Sequence, residues 1–131
     1  MRFTEHELTA ALTGAAKDVL AAQDKEARKG RRTPDELWDG LGKFQRFQLL
    51  DGLGDQLLPV LVALPDVEVE PGTRPTFTTA QIEAAVEERL GEERGIKRKV
   101  LQKSRVALVQ LALSHLPPRQ DPDALIVPDH L

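Results

Sequence analysis

The residues best suited to binding a ligand form a basic run over residues 94–105, which contains no acidic residue. Its six cations are Arg94, Lys97, Arg98, Lys99, Lys103 and Arg105. If a helix begins near Ile96, these cations crowd its N-terminal half, where the helix dipole disfavours positive charge. Local helix physics therefore does not account for them, and a surface that contacts phosphates of a nucleic acid is one interpretation.

Ion pairing is the competing interpretation of the same run. Five glutamates precede it, at positions 83, 87, 88, 92 and 93, and Glu93 lies one helical turn before Lys97. The two helices outline a helix–turn–helix with a basic second helix. However, the turn at 91–95 carries no distinctive signature, and residues 106–113 (VALVQLAL) are apolar nearly all round. A salt-bridged, solvated surface is therefore the favoured interpretation, and an anion-binding surface is the alternative.

A weaker basic cluster surrounds Gly30 and continues into an aromatic segment. Its cations are Lys25, Arg28, Lys29, Arg31, Arg32, Lys43 and Arg46, and Trp38, Phe44 and Phe47 are interleaved with the last two. Alternating cations and rings are typical of surfaces that bind single-stranded nucleic acid. Because Phe44 and Phe47 lie at helical core spacing, we favour a solvated loop beside core aromatic residues. Lys29, Arg31, Arg32, Lys43 and Arg46 remain secondary candidates for anion contact.

No pattern in the chain indicates catalysis, a cofactor or a metal. Cysteine is absent, which excludes disulfides and thiolate chemistry. The three histidines, His6, His115 and His130, do not stand at metal-ligand spacing. The DGLGD segment at 51–55 lacks both the glycine–lysine pair of a P-loop and the ligands of an EF-hand. We therefore expect no enzyme, with His6 and His115 structural or solvated.

Bulk composition predicts one soluble globular domain. The chain has 131 residues, 40% of them hydrophobic and 30% charged. A formal net charge of −3 gives no global attraction for nucleic acid or acidic membranes. The N-terminus does not resemble a signal peptide, and the longest apolar stretch, residues 57–65, is too short to span a bilayer. We expect a cytoplasmic protein without membrane contact.

Capping signals predict the N-terminal helices. Thr4 and Glu7 form a capping box ahead of an apolar stripe, in a helix expected to fade near Gly30. Thr33 followed by Pro34 starts a second helix. Because glycines and Pro59 interrupt residues 44–64, we expect one helix to end near Gly54 and another to begin near Asp55.

The C-terminal half is predicted from its prolines and glycines. Residues 65–76 form a Pro-rich linker, in which Val67 and Val69 resemble a short edge strand. Helices are expected from Thr78 to about Leu90 and over 96–116, followed by an extended tail over 117–131. The apolar tail residues Ala124, Leu125, Ile126 and Val127 are expected to dock on the chain's own core, for example as a strand beside Val67 to Val69, or alternatively on a neighbouring molecule.

The two halves also share a local pattern. Residues 3–12 and 77–86 both read Phe-Thr-x-x-(Glu/Gln)-aliphatic-x-Ala-Ala-aliphatic. A duplicated helical unit is one explanation. Independent use of the same strong helix start is the favoured one, because the similarity ends after about ten residues.

Together these features predict an all-α, single-domain bundle of four to six helices. It comprises N-terminal helices over 1–64, an irregular crossover at 65–76, a helical hairpin over 77–116 and an extended tail. The apolar excess in residues 44–64 and 106–116 makes a homodimer or a partner-covered face plausible. The leading interpretation is a non-enzymatic protein–protein interaction or assembly module acting through helix–helix contacts. A nucleic-acid-binding regulator using residues 94–105 is the alternative, and an enzyme with an unrecognised site is the third.

Overall fold

The computed structural model describes residues 1–120, and over this range the chain is all-helical. The helices are α1 (Glu5–Gln23), α2 (Lys25–Arg28), α3 (Pro34–Asp39), α4 (Lys43–Ala63), α5 (Thr79–Arg89) and α6 (Gly95–Leu113). Residues 1–120 contain no strand. The predicted all-α bundle is thus confirmed.

The four longer helices pack around one hydrophobic core. Its largest fully buried side chains come from α4, α5 and α6 and from the residues that follow α4 and α6. They are Leu57, Val60, Leu61, Leu64, Val86, Val109 and Leu116. Fully burying a side chain of this size stabilises the fold by about 1.5–3 kcal/mol. Helix α1 contributes Ala11, Ala15 and Ala16, each 0% exposed, so its small side chains let the neighbouring helices approach closely.

The predicted starts of α1 and α5 are both confirmed, with matching geometry. The Thr4 hydroxyl accepts from the Glu7 N–H at 3.1 Å, and the Glu7 carboxylate accepts from the Thr4 N–H at 2.8 Å. Thr78 and Gln81 repeat this capping box at 3.1 and 2.8 Å. The rings of Phe3 and Phe77 lie 6.4 Å apart, so the two helix starts lie side by side.

The predicted break near Gly54 is wrong, because α4 runs unbroken from Lys43 to Ala63. Glycine in a helix interior costs about 1 kcal/mol and proline about 3 kcal/mol relative to alanine. Burial of Leu53, Leu57, Val60 and Leu61 along one face of the continuous helix offsets these costs. Tertiary packing therefore overrides local propensity here.

Two helix ends and one expected strand also differ from the sequence prediction. The first helix ends at Gln23, and Asp24 caps the new short helix α2 by accepting from the Ala27 N–H at 2.9 Å. Helix α6 ends at Leu113 rather than at Leu116. The crossover at 65–76 is free of helix as predicted, but Val67 and Val69 form no strand there.

The starts of α1 and α5 and the chain that follows α6 lie at the same end of the bundle. Helices α5 and α6 are antiparallel, with Arg98 near the start of α6 bound to Glu87 near the end of α5. Since α5 and α1 start side by side, α6 ends toward the start of α1. The chain beyond α6 then follows α1, and the Arg119 backbone exchanges hydrogen bonds of 2.7 Å with Gly72 and Thr73 of the crossover. The predicted docking of Ala124 to Val127 lies outside the described residues.

Candidate functional site

Two cations of the basic run turn inward and hold the fold. The Arg98 guanidinium donates to the Glu87 carboxylate at 2.5 Å and to the carbonyls of Gly91 and Glu93 at 3.0 and 3.2 Å. It therefore clamps the turn between α5 and α6. The Arg105 guanidinium donates to the Gln56 carbonyl of α4 at 3.4 Å. These contacts link α6 to both neighbours.

The other cations face solvent. Arg94, Lys97, Lys99 and Lys103 are exposed, and none of them forms an ion pair within residues 1–120. The expected pair of Glu93 with Lys97 is not formed. Glutamate does pair with the run, but at Glu87 and Arg98. Ion pairing therefore explains the presence of Arg98 but does not explain the exposed lysines of the run.

An exposed apolar row lies among these lysines. Ile96 is 82% exposed and Val100, one turn later, is 61% exposed. Ser104 and Ala107 are exposed too and continue the row along the helix, whereas Val109 and Ala112 are buried on the opposite side. The apolar character of α6 noted in the sequence therefore divides between an inner face in the core and an outer row in solvent.

We call the solvent-exposed side of this helix the outer face of α6. It consists of Ile96, Lys97, Lys99, Val100, Lys103 and Ser104. With 3.6 residues per turn, Lys99 and Lys103 flank the apolar row on one side and Lys97 on the other. A shallow depression of about 440 Å³ runs along it, and its lining also includes Glu93 and Leu101. The surface is apolar at its centre and cationic at its edges.

Two cations of the weaker cluster contact neighbouring residues, and the other three are exposed. Arg46 donates to the carbonyls of Trp38 and Asp39, both at 3.1 Å, and its guanidinium lies 5.7 Å from the Trp38 ring centre. Arg46 therefore supplies hydrogen-bond donors to the carbonyl groups at the C-terminal end of α3. Arg31 pairs with Glu26 at 3.3 Å, while Lys29, Arg32 and Lys43 are exposed.

The expectation that Phe44 and Phe47 belong to the core is wrong. They are 70% and 63% exposed at the start of α4. Their spacing does fit one face of a helix, but periodicity does not show which face is inward. In this half of α4 the partly buried residues Leu49 and Leu50 pack against the core instead. Both rings are therefore exposed to solvent.

His115 connects the end of α6 to α1. Its Nε2 lies 2.5 Å from an Asp18 carboxylate oxygen, and its ring lies against Gly14 so closely that a β-carbon there would stand 2.1 Å from the ring Cγ. The sequence prediction missed this contact. A glycine within the apolar stripe of α1 was the available signal, because such a position often marks a close approach.

The contact between Glu7 and Arg119 was also missed. The Glu7 side chain is 3% exposed, and Arg119 donates to its two oxygens at 2.8 and 3.3 Å. Burial by itself raises the pKa of Glu7. Hydrogen bonds from Arg119 and from the Thr4 backbone, together with the Arg119 charge, outweigh burial and hold this pKa below its ordinary value of 4.5. The pair is a buried structural tie.

A polar cavity between α1 and α3 offers no free charged group. Its lining includes Lys17, Asp18, Asp35 and His115. Lys17 pairs with Asp35 at 2.8 Å, and His115 pairs with Asp18. Each of these four side chains thus has a partner within the cavity. Among residues 1–120, no group of three or more histidine, aspartate or glutamate side chains is placed to hold a metal ion.

None of the helices within residues 1–120 has the length and apolar character needed to cross a bilayer. Comparison with protein-family models, curated proteins and solved structures found no significant match to the chain.

Proposed function

We propose that the protein is a non-enzymatic interaction module that binds a partner protein through the outer face of α6. The observation that supports this most strongly is the exposure of Ile96 and Val100, at 82% and 61%, on adjacent turns of one helix. Burying two such side chains against a partner would contribute about 1.5–3 kcal/mol each. A helix that binds a helical partner or a groove typically does so through apolar anchors spaced at i and i+4.

The contacts of α6 with its neighbours add to this argument. Arg98 holds its first turn to α5, Arg105 holds its middle to α4, and Val109 anchors the following turn in the core. The outer face is therefore formed before any partner arrives. A preformed surface loses less conformational entropy on binding than a loop that must be ordered, so more of the contact energy appears as affinity.

The lysines restrict the kind of partner. Lys97, Lys99 and Lys103 edge the apolar row with positive charge. Two copies of α6 packed directly on each other would bring lysines together, and like charges across an interface disfavour association. A complementary partner instead presents an apolar strip with aspartate or glutamate beside it.

The matched valines of this chain provide the test. Val100 on α6 and Val62 on α4 are both 61% exposed. The tagged full-length variants V100E and V62E would be produced in the native cells, and their bound proteins compared quantitatively with those of the wild type. The proposal expects V100E to lose a specific partner that V62E retains. Equal recovery by all three proteins would contradict it.

Nucleic-acid binding is the second candidate, favoured by the absence of ion pairs at Lys97, Lys99 and Lys103 within residues 1–120. Weighing against it, the apolar row divides these lysines, and Arg98 and Arg105 turn inward. A fluorescence titration against duplex and single-stranded DNA at low and moderate salt separates the two functions. Micromolar binding that falls steeply with salt and is lost in a K99E/K103E variant would support this candidate. Lack of binding at low salt would eliminate it for DNA.

A further inference from the structure

We infer that the partner bound by the outer face of α6 is the C-terminal segment, residues 121–131, of a second copy of this chain. This inference rests on the proposed function and names the occupant of the same surface. It is argued from charge, from apolar content and from the length of chain available beyond Arg119.

The charges of the segment and of the surface are complementary. Residues 121–131 contain three aspartates and no lysine or arginine, so they account for the whole formal net charge of −3. Residues 1–120 accordingly carry a formal net charge of zero. The outer face of α6 offers three exposed lysines, at positions 97, 99 and 103, that have no ion pair in the described part of the chain.

The apolar content matches as well. Ala124, Leu125, Ile126 and Val127 form one uninterrupted apolar stretch, with Asp121 and Asp123 before it and Asp129 after it. This segment is apolar at its centre and acidic at its edges. It therefore complements the outer face of α6, which is apolar at its centre and cationic at its edges. Ile96 and Val100 would meet the apolar stretch while the lysines meet the aspartates. Complementary charges at the rim of an apolar contact favour the correct partner and register.

The length of chain favours a second copy over the same copy. Val100 lies about 20 Å along α6 from Leu113, at 1.5 Å per residue. The chain after α6 then leads away from Val100, toward Glu7 in the first turn of α1. From Gln120 to Leu125 a fully extended chain spans at most about 18 Å. Leu125 therefore falls short of Val100 in its own copy, whereas a neighbouring copy has no such restriction.

Reciprocal exchange of the two segments would produce a closed dimer. Each chain would donate its residues 121–131 and accept those of its partner, as a two-fold axis requires. The dimer would contain two identical contacts and no direct lysine-to-lysine packing of the α6 helices. This arrangement reconciles self-association with the like charges that oppose a direct α6–α6 contact.

The absence of cysteine allows a clean crosslinking test with the full chain. Single-cysteine variants V100C and I126C would be mixed and mildly oxidised, in parallel with a control mixture of A84C and I126C, since Ala84 is exposed on α5. Docking raises the local thiol concentration toward the millimolar range, so we expect V100C to couple to I126C at least about tenfold faster than A84C does. Sedimentation should show a wild-type dimer and an L125E/I126E monomer.

Three results would overturn the inference. The first is equal coupling of V100C and A84C. The second is a wild type that sediments like L125E/I126E. The third is a disulfide that forms within a single V100C/I126C chain while the mixed single variants stay uncoupled, which would place the segment on its own copy. If coupling is equal while V100E still loses a partner that V62E retains, the inference fails and the proposed function stands.

Discussion

The Arg119 guanidinium donates hydrogen bonds to both carboxylate oxygens of Glu7, and thereby joins the segment after α6 to the first turn of α1. The same carboxylate accepts the Thr4 N–H of the capping box. One buried side chain thus closes a helix start and fixes a contact between residues 112 positions apart in the chain. At the matching position of α5, Gln81 makes the capping contact alone.

This arrangement predicts that stability depends on pH through Glu7. Its pKa is lower in the folded protein than its ordinary value of 4.5. The unfolded chain therefore binds the proton more tightly, so the stabilisation is present above about pH 4.5 and is lost as the pH falls through the folded pKa. An E7Q variant lacks this titration. Urea unfolding between about pH 7 and pH 3 should show wild type more stable at neutral pH and the two converging in acid. A difference that stays constant with pH would contradict this.

The contact between Gly14 and His115 predicts opposite effects for two glycine substitutions. A β-carbon at Gly14 would collide with the imidazole, whereas one at Gly52 meets no atom of the described residues within 4 Å. We expect G14A to lower the free energy of unfolding by about 1–3 kcal/mol through overpacking. G52A should raise it by about 0.5–1 kcal/mol, because alanine is the better helix former. Chemical denaturation measures both, and an H115A change should relieve part of the G14A defect. Similar effects of G14A and G52A would refute the close approach.

The basic run predicts different roles for adjacent residues. Arg98 bridges Glu87 and two turn carbonyls, while Lys99 has no ion pair in the described chain. We expect R98A to reduce the free energy of unfolding by about 1 kcal/mol, since these hydrogen bonds are partly exposed. K99A should change it by less than about 0.5 kcal/mol. Thermal unfolding of the two variants compares them directly, and equal losses would show that Arg98 does not clamp the turn.

Substitutions on the outer face of α6 should leave folding intact. Val100 and Val62 have equal exposure and lie outside the core. V100E and V62E should therefore each change the free energy of unfolding by no more than about 0.5 kcal/mol. Circular dichroism during thermal unfolding checks this. A large loss in V100E alone would mean that Val100 supports the fold and would remove the basis for assigning it to a partner.

The sequence predicts those features that depend on neighbouring residues. The Thr4 capping box, the helix start at Thr78 and the linker at 65–76 were identified because capping, proline and glycine act locally. The continuity of α4 was not, because its glycines and Pro59 are overridden by burial of Leu57 and Leu61. Such burial depends on helices distant in the chain.

The candidate site was predicted in composition but not in arrangement. The run at 94–105 was identified, yet its division into inward Arg98 and Arg105 and outward lysines depends on how α6 is rotated against α4 and α5. The same rotation exposes Ile96 and Val100. Phe44 and Phe47 were assigned to the wrong face of α4 for the corresponding reason, since periodicity identifies a stripe without its direction.

Site-specific photo-crosslinking tests the central claim most directly. A photoreactive side chain would replace Val100 in the full-length protein in its native cells, with Val62 as the equally exposed control position. The account predicts a discrete crosslinked protein from position 100, either another copy of this chain or an acidic partner, and little or none from position 62. No product at position 100, or the same products from both positions, would show that the outer face of α6 is ordinary surface.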